Sequence, residues 1–315
     1  MIRIHRLRLP LRTPLATAIG TIAERTVWLA EAHDDGLSGW GEAAPLPGFG
    51  GEAPEACELA LARAADGREP ETATPCALAA LDGARRDLAA RRAGRPLAGH
   101  AATVACNRLA ASDADALAAP PAGTVKLKSC GDPVADAARL RALRARAPHL
   151  HLRLDANGAW DLAGAHAFTR LAGALVAYVE QPLPRGQLAG CAELRRAGLR
   201  IALDEEVRGA DDLARAAAAG AADAVVLKPA WLGGWDATAA LAEAARLAGL
   251  AVVLSSALGS AVERLHAAHL AAALALPGPH GLLTGHLLAR DVATPHAVDD
   301  ELLLSGPGLG IEVRP

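Results

Sequence analysis

The opening residues alternate apolar and polar side chains from Ile2 to Leu9, and a period of two predicts a strand. Thr26–His33 is a second strand-like segment, and Asp34-Asp35-Gly36 just after it is a turn signal. A Gly/Pro-rich loop follows at 41–51, and Ala-rich stretches near Glu52–Ala65 and Pro75–Arg92 read as helices. From about residue 101 the pattern becomes a repeat in which short apolar runs, ending in polar residues, alternate with Ala/Leu/Arg helices. The runs are Thr103–Cys106, Thr124–Lys128, His151–Asp155, Val176–Glu180, Ile201–Asp204, Ala224–Lys228, Ala251–Ser255 and Gly281–Thr284. Their spacing is one strand–helix unit each time, and eight such units predict a closed α/β barrel over residues 101–289. No GxGxxG opens any unit, so an open dinucleotide-binding sheet has no support. The tail, with Glu301–Leu304 and Gly310–Val313, is expected to pack back on the N-terminal region, so that residues 1–100 and 290–315 form one α+β domain.

In such barrels the chemistry sits at the C-terminal ends of the strands. Read in order, those ends carry Lys126-x-Lys128, Asp155, Glu180, Asp204 and Lys228. Residues two apart on a strand point the same way, so Lys126 and Lys128 share a face. A single Asp at a strand end is commonly a helix cap. Three carboxylates on consecutive strand ends, expected to converge, would repel one another unless a cation joined them. An all-oxygen set favours Mg²⁺ over Zn²⁺ and leaves coordination positions for water and a substrate carboxylate. A carboxylate held by a cation has an acidified α-proton, whose removal gives an enediolate that the metal and a facing cation stabilise. Lys128 is the candidate base. Lys126 is the neighbouring cation that makes loss of a proton easier, and Lys228, expected across the barrel mouth, is a second acid/base or an electrostatic clamp.

Composition sharpens the lysine argument. Lys and Arg total 32, yet only Lys126, Lys128 and Lys228 are lysines. Arginine has taken nearly every other cationic position, so the surviving lysines point to a need for an amine that can give up its proton, which arginine cannot. A net charge of −3 without a long basic run favours neither nucleic acid nor an anionic membrane surface. The N-terminus lacks the continuous apolar core of a signal peptide, and no apolar stretch is long enough to span a membrane. Five scattered cysteines without CxxC spacing read as buried free thiols of a cytoplasmic protein. The histidines form no HExxH and read as structural or surface groups, and the sequence leaves the oligomeric state open.

Taken together, Lys126-Leu127-Lys128, Asp155-Ala156-Asn157, Glu180-Gln181-Pro182, Asp204-Glu205 and Val226-Leu227-Lys228-Pro229 resemble the enolase superfamily, in its muconate-lactonizing subgroup. The resemblance covers nearly the whole chain. It implies an α/β fold, a (β/α)₇β modified TIM barrel with an α+β capping domain. Within the subgroup the chain is similar to the o-succinylbenzoate synthase family on three stretches: 41–49, the Arg-bearing Leu152-Arg153-Leu154-Asp155-Ala156-Asn157, and the serine-rich 255–260. Ala257, Gly259 and Gln181 depart from the family pattern.

The resemblance implies Mg²⁺, with Mn²⁺ as a substitute ion, on Asp155, Glu180 and Asp204. It implies syn-dehydration of 2-succinyl-6-hydroxy-2,4-cyclohexadiene-1-carboxylate to o-succinylbenzoate, a step of menaquinone biosynthesis. Lys128 would be base and then acid, and Lys228 would stabilise the enediolate. Arg153, Asn157, Phe49, Ser255, Ser256 and Gly259 would contact the small carboxylate substrate, with the loop around Phe49 closing over its ring. Two other readings stay open. An N-acylamino acid racemase or dipeptide epimerase of the same superfamily also needs two facing lysines. For the epimerase, Thr284-Gly285-His286-Leu287-Leu288 lacks the acidic pair expected to hold a peptide amine. A non-catalytic metabolite-binding homologue would tolerate loss of a ligand or base, and none is missing.

Overall fold

The computed structural model describes residues 1–17, 20–68, 74–110, 112–119 and 123–315. Its contacts group the chain into two compact units, one of residues 1–106, 227–240 and 254–315, the other of residues 107–226 and 241–253.

The first unit opens with an antiparallel sheet of β1 (Ile2–Thr17), β2 (Gly20–Asp34) and β3 (Leu37–Ala43), in that order. The turn between β2 and β3 has Asp35 at φ 48° and Gly36 at φ 75°, the two positive values that a tight hairpin with right-handed strand twist requires. Helices α1 (Pro54–Ala65) and α2 (Pro75–Arg92) each start with proline, whose missing N–H costs nothing in the first turn. Both helices bury Trp28, Leu61, Leu81, Cys57 and Cys76 against the sheet. The abundance of small residues has a structural use here. A Cβ on Gly39 would overlap the backbone of Leu88 and Ala84, and one on Gly41 that of Ala80 and Ala84. The sheet therefore lies on α2 backbone to backbone, across Ala77, Ala80 and Ala84. Gly41→Ala is expected to cost about 3 kcal/mol or more, because neither partner is a flexible side-chain end. A denaturant midpoint equal to wild type would show that the helix can shift.

β4 (Ala102–Ala105) corrects the sequence reading. The run Thr103–Cys106 was expected to open the barrel, but β4 pairs antiparallel with residues 301–304. The parallel sheet starts instead at β5 (Arg108–Ala110). In β4 only Val104 is buried, as in a strand with one covered face, whereas strands deep in the parallel sheet are buried on both faces.

From residue 108 to 254 strand and helix alternate: β5, α3 (Asp113–Leu117), β6 (Thr124–Lys128), α4 (Pro133–Arg146), β7 (His151–Asp155), α5 (Leu162–Ala172), β8 (Val179–Glu180), α6 (Leu188–Arg196), β9 (Ile201–Leu203), α7 (Ala210–Ala218), β10 (Ala224–Leu227), α8 (Trp235–Leu247) and β11 (Ala251–Leu254). These strands form one curled sheet, ordered β11-β10-β9-β8-β7-β6-β5 and parallel from β5 to β10. Start signals are local: Ser112 closes a capping box on α3, and Asp132 and Asp161 accept first-turn N–H groups of α4 and α5. Alternate strand residues Ala202, Ala224, Val226 and Val253 gather with Tyr178 in one apolar cluster.

Back in the first unit, the run Gly281–Thr284 is not a ladder strand. It keeps a single parallel bridge, Ser255 with Gly281, beside the bridge of Cys106 with the preceding His280. α9 (Ala261–Ala273), β12 (Ala297–Val298) and β13 (Glu301–Leu304) follow. Residues 310–313 form no strand, but the tail is tied to α2: Arg91 donates to the Ile311 carbonyl at 2.9 Å and the Leu309 N–H to Asp87 at 2.7 Å. Cys57, Cys76, Cys106 and Cys191 are buried free thiols, and Cys130 is exposed, against expectation, in the loop before α4. The buried histidines are tied to main chain, His269 accepting the Ala98 N–H at 3.2 Å and His280 the Leu254 N–H at 3.0 Å. No helix among the described residues is long and apolar enough to cross a membrane.

Candidate active site

β6 alternates Val125 and Leu127, both fully buried, with the partly exposed Lys126 and Lys128. Parallel register then sets Lys126 beside Arg153, and Lys128 beside Asp155, which is itself level with Glu180. The side chains close this row. Lys126 Nζ lies 2.7 Å from Glu180 Oε1 and 2.9 Å from Asp155 Oδ2. Lys128 Nζ lies 2.7 Å from the same Asp155 oxygen and 2.7 Å from Asn157 Oδ1. Asn157, at φ 46°, passes its amide N–H to Glu205 Oε1 at 3.0 Å.

The two lysines differ. The Lys126 side chain is 12% exposed and that of Lys128 is 38% exposed. Burial alone would push the Lys126 ammonium toward losing its proton, but Asp155 and Glu180 outweigh it and hold its pKa well above the ordinary value. Burial likewise would raise Asp155, yet Lys126 and Lys128 hold its carboxyl below the usual carboxylate range. Lys126 is thus a fixed cation between two ionised groups, and Lys128 is the more accessible lysine on the same anion.

Asp204 follows β9 and is half-buried; its N–H donates to Gln181 Oε1 at 3.1 Å. Gln181, at φ 42° and buried, also donates to the Leu183 carbonyl, so it shapes the turns that carry Glu180 and Asp204. The expected convergence of three carboxylates is not drawn: among the described residues no three His, Cys, Asp or Glu side chains form a metal-holding cluster. Asp155 and Glu180 do fit a cation, since both are buried and already share the Lys126 ammonium. An anionic, all-oxygen pair with a third carboxylate on the next strand suits a hard divalent ion.

The remaining candidates differ in character. Arg153 is buried, donating to Asn107 Oδ1 at 2.9 Å and stacking 4.7 Å over Tyr178. It sits in the Lys126 row, two residues before Asp155 on its strand. In the first unit, Lys228 directly follows β10 and lies 5.0 Å over the Trp231 ring. Trp231 donates to the Ala44 carbonyl at 2.9 Å, and its ring leaves no room for a Cβ on Gly50. Phe49 ends a turn, Leu46-Pro47-Gly48-Phe49, in which Gly48 at φ 83° takes the position that needs a glycine. Ser255 and Ser256 are buried; Ser256 Oγ meets Thr284 Oγ1 at 2.8 Å, and Ser255 Oγ donates to the Gly281 carbonyl. Gly259 is required by packing, because a Cβ there would lie 2.6 Å from Glu42 Oε1. Sequence reasoning gave no role to Trp231, Asn107, Arg25 or Glu42. Of these only Glu42 stood in a stretch already singled out.

A sequence model of the family described as "Enolase C-terminal domain-like" matches residues 108–315. An o-succinylbenzoate synthase of Edwardsiella ictaluri is 32% identical over 296 residues, 89% of this chain and 89% of that protein. Among solved structures, a dipeptide epimerase from Methylococcus capsulatus complexed with Mg and dipeptide L-Arg-D-Lys superposes with a TM-score of 0.86 at 29% identity, covering 99% of this chain and 98% of that one. An N-succinyl Arg/Lys racemase from Bacillus cereus superposes with a TM-score of 0.89 at 22% identity, covering 99% and 95%, a likeness of fold. The modified TIM barrel with its α+β capping domain is therefore the fold of this chain, and the chain belongs to the enolase superfamily, in its o-succinylbenzoate synthase family.

Proposed function

We propose that the chain dehydrates 2-succinyl-6-hydroxy-2,4-cyclohexadiene-1-carboxylate to o-succinylbenzoate with one lysine serving twice. The observation that carries the reading is the asymmetry of the paired lysines. Lys126 is locked between Asp155 and Glu180, whereas Lys128 is the more exposed and is oriented by Asp155 and Asn157. As a neutral amine, Lys128 takes the proton from the ring carbon that bears the carboxylate, and the electron pair moves into that carboxylate to give an enediolate. The C–OH bond at the neighbouring carbon then breaks. The departing hydroxide takes the proton back from Lys128 and leaves as water, and the ring becomes aromatic. The fixed charge of Lys126 stabilises the negative charge that builds up on the enediolate. A Mg²⁺ ion held by Asp155, Glu180 and Asp204 would supply Lewis-acid stabilisation of the doubly charged carboxylate, with Mn²⁺ as a substitute.

Lys228 is assigned to the enediolate as an electrostatic partner. Residues 1–100 with 290–315 are assigned to substrate capping, and 101–289 to catalysis. Arg153 is assigned to support of the carboxylate row and Ser255, Ser256 and Gly259 to the loop that borders the substrate. Location in a reducing cytoplasm is part of the same reading, supported by the four buried free thiols. Racemisation of an N-succinylamino acid is the second reading, favoured by a second lysine at a strand end. For dipeptides, the one acid near that region, Asp291, is committed to Arg264 at 2.7 Å and to the first N–H of α9.

The test is a comparison of kcat/KM for the cyclohexadiene, an N-succinylamino acid and a dipeptide at saturating Mg²⁺. The cyclohexadiene is expected to be the best substrate by a wide margin. A higher value for the N-succinylamino acid would reverse the assignment. In the same assay Phe49→Ala is expected to raise KM by about 1–3 kcal/mol of lost binding with little change in kcat. An unchanged KM with a lowered Tm would make Phe49 a packing residue.

A further inference from the structure

Two loops of the first unit, 44–45 and 257–260, are held by the same few buried groups. Arg25, 3% exposed on β2, donates to the carbonyls of Pro45 at 3.1 Å, Ala44 at 3.0 Å and Ala257 at 3.3 Å. One guanidinium therefore joins both loops. Glu42, 3% exposed on β3, accepts the Ser260 N–H at 2.9 Å, the Ser260 hydroxyl and the Glu263 N–H at 3.2 Å. It caps α9 from 218 residues away in the chain. Glu263 reaches back and accepts the Ala257 N–H at 3.0 Å, and Arg264 holds the Gly259 carbonyl at 3.0 Å. Leu258, at φ 57°, is kept in a left-handed conformation that a leucine rarely adopts, so the loop's shape is imposed by these anchors.

We propose that Arg25, Glu42 and Glu263 are positioning residues for the reaction, fixing loops 44–45 and 257–260 as one preset wall that sets substrate affinity and not the rate of the chemical step. The inference rests on the reading above, in which the segment after β11 borders the substrate; in barrels of this kind the residues following strand C-termini bind it. A preset wall lowers the entropy lost when the substrate is ordered, which appears in KM.

Charge balance adds a second handle. Two guanidiniums, Arg25 and Arg264, stand among three carboxyls, Glu42, Glu263 and Asp291, and His266 and Asp82 share a cavity of ≈ 30 Å³ with Glu42 and Glu263. The set is neutral when one carboxyl keeps its proton. Burial pushes both Glu42 and Glu263 up, Glu263 to about 8 with the charge of Glu42 as its second cause, while Glu263 Oε2 is buried without a hydrogen-bond partner. Ionising Glu263 beside Glu42 strains the wall, so affinity falls as pH rises through that value.

The experiment measures KM and kcat for the cyclohexadiene with wild type, Glu263→Leu, Glu263→Gln and Ser260→Ala, with Tm alongside. Glu263→Leu is expected to raise KM about tenfold while kcat stays within about threefold. Wild-type KM is expected to rise between about pH 7 and about pH 9, and Glu263→Gln, which mimics the protonated acid, is expected to keep the low-pH KM and to flatten that rise. Ser260→Ala removes the hydroxyl that Glu42 accepts and, with it, the cap on the Val262 N–H, and is expected to raise KM about threefold, which keeps the test valid if the leucine variant does not fold. Unchanged KM in both Glu263→Leu and Ser260→Ala, with only Tm lowered, would overturn the inference, as would a wild-type KM flat over that pH range. Wild type that does not turn over the cyclohexadiene at all would instead sink the proposed function.

Discussion

Lys128→Arg is expected to lose about 10²–10⁴-fold in the rate of dehydration, although charge and approximate size are kept. The reason is the proton and not the charge. An arginine at 128 could still pair with Asp155 and Asn157, which Lys128 contacts at 2.7 Å each, but it cannot become a neutral base at accessible pH. Because the same group is assigned to return the proton to the leaving hydroxide, both halves of the reaction should fail together. Lys228→Arg separates the remaining roles. If Lys228 is an electrostatic partner only, Arg keeps measurable dehydration in somewhat wrong geometry; racemisation, which needs a second base, should vanish. Exchange of the substrate α-proton with deuterium from solvent reads proton removal directly in both variants. Robust exchange by Lys128→Arg at neutral pH would refute the one-base mechanism.

Loss of a carboxylate is expected to be equally severe, with different consequences for the fold. Asp204→Ala is the cleanest variant, because Asp204 is half-buried at a strand end, and it should retain Tm while losing nearly all turnover at ordinary Mg²⁺. Asp155→Ala should lose turnover and stability together. Asp155 is the shared anion of Lys126 and Lys128, and its removal leaves Lys126 with Glu180 alone and Lys128 with no carboxylate partner. Glu180→Ala should fall between, since Lys126 would keep Asp155. An Asp204→Ala variant with near wild-type turnover would remove Asp204 from the metal site and turn attention to Glu205, which contacts Asn157.

Parts of this site were legible in the sequence because they are local to a strand. Lys126 and Lys128 share a face through the two-residue period alone, and parallel register then sets Lys128, Asp155 and Glu180 level. Buried parallel strands also leave compact apolar runs with polar ends, which made the repeat readable from β6 to β11. The first unit was harder. Thr103–Cys106 and Arg108–Ala110 are adjacent short segments, and only their partners decide which one enters the parallel sheet. The loop anchors were not legible at all. Arg25 is one arginine among many, and its bond to Ala257 spans 232 residues. Gly39, Gly41 and Gly259 look like loop or strand-weakening glycines in sequence, yet each marks a close approach of chain segments far apart in the sequence.

The central claim is tested most directly by titrating chelator-treated wild-type protein with Mg²⁺ while following the loss of cyclohexadiene absorbance. The account predicts no turnover above the uncatalysed rate without metal and full recovery as Mg²⁺ is added. It also predicts that Lys128→Arg recovers no more than about a hundredth of the wild-type rate under the same titration. Full-rate turnover in the chelated protein, or none at saturating Mg²⁺, would contradict it.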